Sequence, residues 1–276
     1  LSVRLFLACI TILIFSLPHA PETDMSQFFV HADPEARIVG GTPAEEGSVP
    51  YMVALSDGVI IRNFFCGGSV ISASTVLTAA HCIEAVFSAW SGLSRNIRMT
   101  VGTNRHSSGG TAYSASRNVT HPNYVRATIK NDIGLLITTS PIAFNNLVQP
   151  VPLSFEQVPG DIRSRAAGWG RIGPLSANLL ELEVRTVDAQ QCVNDMITAA
   201  AALGFRAPVI EPHIELCIIH SPGHGMCNGD SGSALVRLDT QEQIGVVSWG
   251  LPCARGAPDV FARVSGFRDW LTANVV

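Results

Sequence analysis

Gly225-Met226-Cys227-Asn228-Gly229-Asp230-Ser231-Gly232-Ser233-Ala234-Leu235-Val236 sets a serine in a tight, glycine-flanked turn, behind a cysteine and ahead of an apolar, strand-like run. A serine so placed shows its hydroxyl to a reacting group while neighbouring backbone N–H groups point at one spot, the layout of a nucleophile with an oxyanion hole. Gly-Asp-Ser-Gly is also ordinary loop chemistry, so the turn alone decides little. A serine hydroxyl is a weak nucleophile unless a base takes its proton, and that base needs a third group to fix its tautomer. The reading therefore turns on a well-placed histidine and an acid elsewhere in the chain.

Both are present. Leu77-Thr78-Ala79-Ala80-His81-Cys82 ends an apolar, β-branched run with a histidine beside a cysteine that can anchor it. Asn131-Asp132-Ile133-Gly134-Leu135-Leu136-Ile137 starts a run apolar enough for a buried strand with an acid, where an unpaired carboxylate is costly and an imidazole partner would resolve the cost. Taken apart, His81 also reads as a core or metal-ligand histidine and Asp132 as a turn or N-cap aspartate. The chain order His, Asp, Ser differs from that of α/β-hydrolases and of subtilisins, and Ser233 breaks the Gly-x-Ser-x-Gly elbow.

The 276 residues allow one large domain or two small ones, and 47% hydrophobic with 14% charged residues is a globular composition. A net charge of -4 gives no basic surface for nucleic acid. Residues 1–20, with Arg4 ahead of an apolar Leu5 to Leu17, read as a secretory signal. That core is shorter than the roughly 20 residues of a spanning helix; a buried N-terminal helix is the other reading. Residues 21–37, rich in proline and acids and without cysteine, read as a short propeptide. Of the seven cysteines Cys9 lies in the signal, leaving an even set of six, as in secreted disulfide proteins. Fifteen pairings are open to six cysteines. A zinc site is the rival, but no Cys-x2-Cys spacing occurs.

The local pattern is all-β. Short runs at Tyr51 to Leu55, Ser69 to Ile71, Ile97 to Val101, Ile133 to Ile137, Leu182 to Val187, Ile244 to Trp249 and Asp259 to Val264 are separated by Gly, Pro, Asn and Ser. Asp188 is placed to cap a helix running through Met196 to Leu203 and stopping at Gly204. Ser265 is placed to cap another in which Phe267, Trp270 and Leu271 share a face.

Ile38-Val39-Gly40-Gly41, Cys66-Gly67-Gly68-Ser69, Leu77 to Cys82, Asp132 to Leu136, Gly168-Trp169-Gly170, Gly229 to Gly232 and Ser248-Trp249-Gly250 together resemble the trypsin/chymotrypsin family of serine proteases, in that family's order. The resemblance covers residues 38 to 276. It implies an all-β fold of two six-stranded antiparallel β-barrels with a C-terminal helix, with His81 and Asp132 on the first barrel, Ser231 on the second, and the site in the cleft between. It implies Ser231 as nucleophile, His81 as proton shuttle, Asp132 as its orienting acid, and the N–H groups of Gly229 and Ser231 as oxyanion donors. Ser248 is expected to hydrogen-bond Asp132, and the backbone of Ser248 to Gly250 to pair with an extended substrate. The resemblance selects the disulfides Cys66 with Cys82, Cys192 with Cys217, and Cys227 with Cys253. The first closes a loop worth roughly 3 kcal/mol by loop entropy. It also implies a zymogen cut between Arg37 and Ile38, after which the Ile38 ammonium pairs with Asp230. Implied partners are protein or peptide substrates, an activating trypsin-like protease and protein inhibitors, with no cofactor, no metal, no nucleic acid and no membrane, for a secreted monomer.

Specificity departs from the commonest patterns. The family's pocket-base position holds Gly225 rather than an acid, which argues against a simple trypsin, and Gly250 leaves the mouth open to large apolar side chains. Asp259 stands where a glycine usually lines the wall, an arrangement that resembles broad, collagenase-like members; a solvated or otherwise paired Asp259 is the alternative. Met226 narrows the pocket beside its base. Ser233 and Ala234 replace the family's usual Gly-Pro. Asn118-Val119-Thr120 is a glycosylation sequon, and Val101 to Ser116 lacks the carboxylates a calcium loop needs. Lys130 is the only lysine beside 17 arginines, and tyrosine occurs three times. Lys and Tyr lose or gain charge near pH 10 whereas Arg does not, so this composition points to an alkaline fluid such as a gut lumen, or to codon bias. A digestive endopeptidase is the expected function; a catalytically silent homologue acting as a binding protein and a cascade-processing protease are the alternatives.

Overall fold

The structure is a computed structural model that describes residues 40–170, 176–204, 206, 208–251 and 256–276. The signal and propeptide expected before Ile38, Ile38 itself and Cys253 lie outside the described residues. Within them a first barrel is built from β1 (Met52–Asp57), β2 (Asn63–Val70), β3 (Thr75–Thr78), β4 (Arg98–Val101), β5 (Thr111–Thr120) and β6 (Gly134–Thr138). Its neighbours run β1-β2-β3-β6-β5-β4 and close back on β1, all antiparallel.

The second barrel comprises β7 (Arg163–Gly168), β8 (Leu180–Val187), β9 (Glu215–Ile219), β10 (Ala234–Arg237), β11 (Gln243–Gly250) and β12 (Asp259–Arg263). Its order is β7-β8-β9-β12-β11-β10, closing on β7. The two halves thus share one strand order, three consecutive strands followed by three that return beside them. Closure removes free edges. The expected pair of six-stranded barrels is the observed fold.

Burial follows the pleat. In β8 Leu180, Leu182 and Val184 point inward while Glu183 and Arg185 point out, the period-two pattern of a half-buried strand. β6 is buried throughout, as its unbroken Gly-Leu-Leu-Ile-Thr run demands. Leu55, Leu77, Met99, Val101, Leu135 and Ile83 fill the first core, and Ala166, Leu182, Leu216, Leu235, Ile244 and Phe261 the second. A buried hydrogen bond from Ser69 Oγ to Gln243 Oε1, 2.7 Å long, joins β2 to β11 across the barrels.

The short α1 (Ala80–Glu84) follows β3. α2 (Ala189–Ala202) begins as expected at Asp188, whose side chain accepts from the N–H groups of Gln190 and Gln191 at 2.9 and 3.4 Å. It buries Cys192, Met196 and Ala200, four residues apart on one face, and ends before Gly204 at φ 75°. The C-terminal helix corrects the expected cap. Ser265 sits inside a 3-10 turn, Val264–Phe267, and its buried hydroxyl caps nothing; α3 (Arg268–Asn274) follows with no side-chain cap. Packing replaces the cap: Phe267, Trp270 and Leu271 lie against the first barrel's core, and the Val276 carbonyl accepts from the hydroxyls of Ser72 and Thr75. The end of the second half is thereby fastened to the first.

The disulfides Cys66–Cys82 and Cys192–Cys217 form as expected, and Cys227 is also disulfide-bonded. Asn118, of the sequon, is half-buried in β5 with its amide donating to Thr120 Oγ1 at 3.2 Å. Among the described residues no helix is long and apolar enough to cross a membrane.

Candidate active site

β3 delivers the chain to α1, and His81 is the second residue of that helix. Cys82, next to it, is bonded to Cys66 on β2, which pins the helix to the barrel wall. Asp132 arrives from the turn before β6, where Asn131 takes φ 55°. Asp132 Oδ1 accepts from the His81 backbone N–H at 2.9 Å, and Oδ2 lies 2.7 Å from His81 Nδ1. Ser248, on β11 of the other barrel, donates its hydroxyl to Oδ2 at 2.5 Å. The Asp132 side chain is 1% exposed and that of His81 15%. A buried carboxylate can only accept, so Nδ1 carries the proton and Nε2 is left as the basic atom.

Ser231 is brought to the same place by its backbone. Gly67 N–H donates to the Ser231 carbonyl at 2.8 Å, and Gly67 adjoins Cys66 of the disulfide beside His81. Gly232, at φ 81°, lies so close to the end of β3 that an added Cβ would stand 2.2 Å from Thr78 Oγ1 and 3.3 Å from Ala79 N. The serine turn of the second barrel is therefore seated on the strand end that leads to His81. Asp230 N–H bonds the Cys227 carbonyl and Ser233 N–H the Asp230 carbonyl, each at 3.0 Å, which closes the turn around Gly229 at φ 95°.

The Asp230 carboxylate is fully buried. It accepts from Gly170 N–H at 2.7 Å and from Cys227 N–H at 3.0 Å. Burial pushes it up to about 7 against the pull of those two donors. Here the Gly-Trp-Gly motif has a steric cause: a Cβ at Gly168 would lie 2.1 Å, and one at Gly170 2.2 Å, from the Asp230 carboxylate oxygens. Trp169 between them is buried and donates its indole N–H to the Asn104 carbonyl at 2.9 Å.

Beside the serine turn, Gly225, Met226, Gly250 and Asp259 are neighbours. Asp259 pairs with Gly250 across β11 and β12, and an added Cβ on Gly250 would stand 3.0 Å from its Oδ1. Its Oδ2 accepts from Met226 N–H at 2.8 Å. Burial raises the Asp259 carboxyl to about 7, the Met226 N–H works against this, and the Asp230 carboxylate adds to it. Trp249 is buried beside Ser248, with its indole N–H on Glu215 Oε1 at 2.9 Å. Glu215 and its partner Lys130 are site neighbours that the sequence reading missed. A lone lysine and a strand glutamate 85 positions apart give no signal of pairing. The sulfurs of Cys66 and Cys82 lie near the His81 ring, but they are bonded to each other, so this trio offers no thiolate to a metal.

The sequence model of the Trypsin family matches residues 38–271. Chymotrypsin-2 of Vespa crabro is 37% identical over 243 residues, covering 86% of this chain and 99% of the relative. Trypsin-2 of Salmo salar is 33% identical over 246 residues, covering 88% of this chain and 97% of the relative. Trypsin of Phaedon cochleariae is 31% identical over 256 residues, covering 88% and 90%.

Proposed function

Since the chain belongs to the trypsin family of serine proteases, we propose that it is a secreted digestive endopeptidase with an apolar or mixed primary specificity, made as a zymogen and cut between Arg37 and Ile38. The observation that carries the mechanism is the Asp132 carboxylate held by His81 N–H, His81 Nδ1 and Ser248 beside the docked Ser231 turn. Ser231 Oγ attacks the scissile carbonyl, His81 Nε2 takes its proton and passes it to the leaving amine, and Asp132 steadies the imidazolium formed. Gly229 and Ser231 N–H groups receive the oxyanion, for which the left-handed turn at Gly229 shapes the backbone. Water then releases the acyl group by the same proton route in reverse.

Asp230 is the partner of the new Ile38 ammonium. A buried carboxylate at about 7 gains most from a cation beside it, and the pair would order the Gly229 turn. Gly225, Met226, Gly250 and Asp259 form the primary pocket, and Ser248 to Gly250 the edge on which an extended substrate adds as a strand. Two glycines and Met226 beside the Asp259 carboxylate support cleavage after large apolar residues with some after Arg. Digestive work in an alkaline fluid is supported by the buried state of the only lysine, and by Tyr51 and Tyr124, whose phenols burial pushes well above their usual value. An optimum near neutrality with loss above pH 9 would remove the alkaline reading.

The test is hydrolysis of a peptide library varied at the residue before the cut, with the precursor and with protein processed to begin at Ile38. Cleavage after Phe, Tyr or Leu by the processed form only is expected. Equal activity of the precursor would remove the zymogen reading. No cleavage by either, with Ser231→Ala as the blank, would remove the catalytic one.

A further inference from the structure

An ion pair that the proton route does not use lies buried between the barrels. Lys130 Nζ is 2.7 and 2.8 Å from the two Glu215 oxygens and 2.6 Å from the Val209 carbonyl. Glu215 Oε1 also accepts the Trp249 indole N–H at 2.9 Å, and Oε2 the Glu211 N–H at 2.6 Å. Nζ stands 5.3 Å from the Trp249 ring centroid. Indole, carboxylate and ammonium form one closed cluster, with the Lys130 and Glu215 side chains 8% and 4% exposed.

The backbone goes out of its way to deliver this cation. Ile129 at φ 51° and Asn131 at φ 55° flank Lys130, and a β-branched residue in the left-handed region is costly. The double turn sends the Lys130 side chain to Glu215 on β9 of the second barrel and returns the chain to bring Asp132 to His81. A buried ion pair is weak evidence for stability, since apolar residues of similar volume commonly do as well. What apolar residues cannot do is hold an indole by its N–H and its ring face at once.

We infer that Lys130 and Glu215 are positioning residues that set the Trp249 indole, and with it the Trp249–Gly250 end of the substrate edge, for substrates that extend several residues before the cut. The inference rests on the reading of that edge as the substrate strand. Asp132 has its own supports in His81 and Ser248, so the proton route stands without the pair.

The experiment compares a blocked single-residue ester with a tetrapeptide anilide carrying the same residue before the cut, using the processed enzyme. Lys130→Met leaves a buried carboxylate without its cation and can fail to fold, so the deciding variant is Lys130→Met with Glu215→Leu, which removes both charges. Its expected signature is a fall of about tenfold or more in kcat/KM for the tetrapeptide, with the ester within about threefold of wild type. An unchanged ratio of the two substrates overturns the inference, and so does an equal loss on both, which a merely structural role would give. If the wild type gains nothing from the longer substrate, the substrate-edge reading itself has failed, and that result comes from the wild type alone.

Discussion

Asp259→Asn isolates the charge in the proposed pocket wall without changing its shape. An Asn side-chain oxygen can still accept from Met226 N–H, now 2.8 Å from Asp259 Oδ2, and the amide fits where the carboxylate faces Gly250. Only the attraction for a cationic substrate side chain is lost. A hydrogen bond to a charged group contributes about 1.5–3 kcal/mol, which is roughly a 10- to 150-fold change in kcat/KM for an Arg substrate. Phe cleavage should stay within about threefold, because the swap conserves the volume of the wall and an apolar side chain draws nothing from its charge. The pH dependence supplies a second, independent reading. With the Asp259 carboxyl raised to about 7, the wall is mostly neutral at pH 5.5 and mostly charged at pH 8.5. The ratio of Arg to Phe kcat/KM should therefore rise through pH 7 in the wild type and stay flat in Asp259→Asn. Taking the ratio cancels the titration of the proton-transfer groups, and kcat/KM reports the free enzyme. The assay is paired anilide substrates, Arg and Phe, across pH 5.5 to 8.5. An Arg to Phe ratio that neither falls in the variant nor moves with pH in the wild type would refute the pocket role of Asp259.

Two further substitutions probe the serine turn, one its seating and the other its stability. Gly232→Ala forces a Cβ within 2.2 Å of Thr78 Oγ1 and 2.5 Å of the Gly67 carbonyl at a φ of 81°, so the turn must lift off β3. A loss of about 100-fold in ester kcat/KM is expected, and near-normal turnover would show that the docking is not needed. Ser233→Ala removes a buried hydroxyl that has no hydrogen-bond partner among the described residues. Relief of an unsatisfied group should stabilise by about 1 kcal/mol and raise Tm by roughly 2–4 °C; an unchanged or lower Tm by calorimetry would count against it.

The strands and motifs legible in the sequence are those whose cause is local. β6 reads as a strand because every residue is buried, and Asp188 reads as a cap because its bonds close within three residues. β5 and β7 are nearly silent: Thr-Ala-Tyr-Ser-Ala-Ser-Arg-Asn-Val-Thr is half-exposed on both faces, and Arg163 and Arg165 break the apolar pattern of β7. Barrel closure, not propensity, makes them strands. Ser265 misled for a related reason. A serine ahead of an amphipathic run predicts a cap, yet the first barrel's core takes Phe267 and Leu271 and tightens the start into a 3-10 turn instead.

The site divides along the same line. His81, Asp132 and Ser231 stand out because three short motifs, each ordinary when taken apart, occur together in one chain order. Asp230 is also visible, but the reason for Gly168 and Gly170 is not: both glycines exist to leave room for a carboxylate some 60 residues away. Lys130 is the limiting case. Its rarity suggests a statement about composition, whereas its position makes it the cation that Glu215 and Trp249 are folded around. A residue acting through a partner brought in by tertiary packing leaves no periodic or spacing signature. The residues proposed to tune the active site are therefore harder to read in sequence than the ones proposed to perform its chemistry.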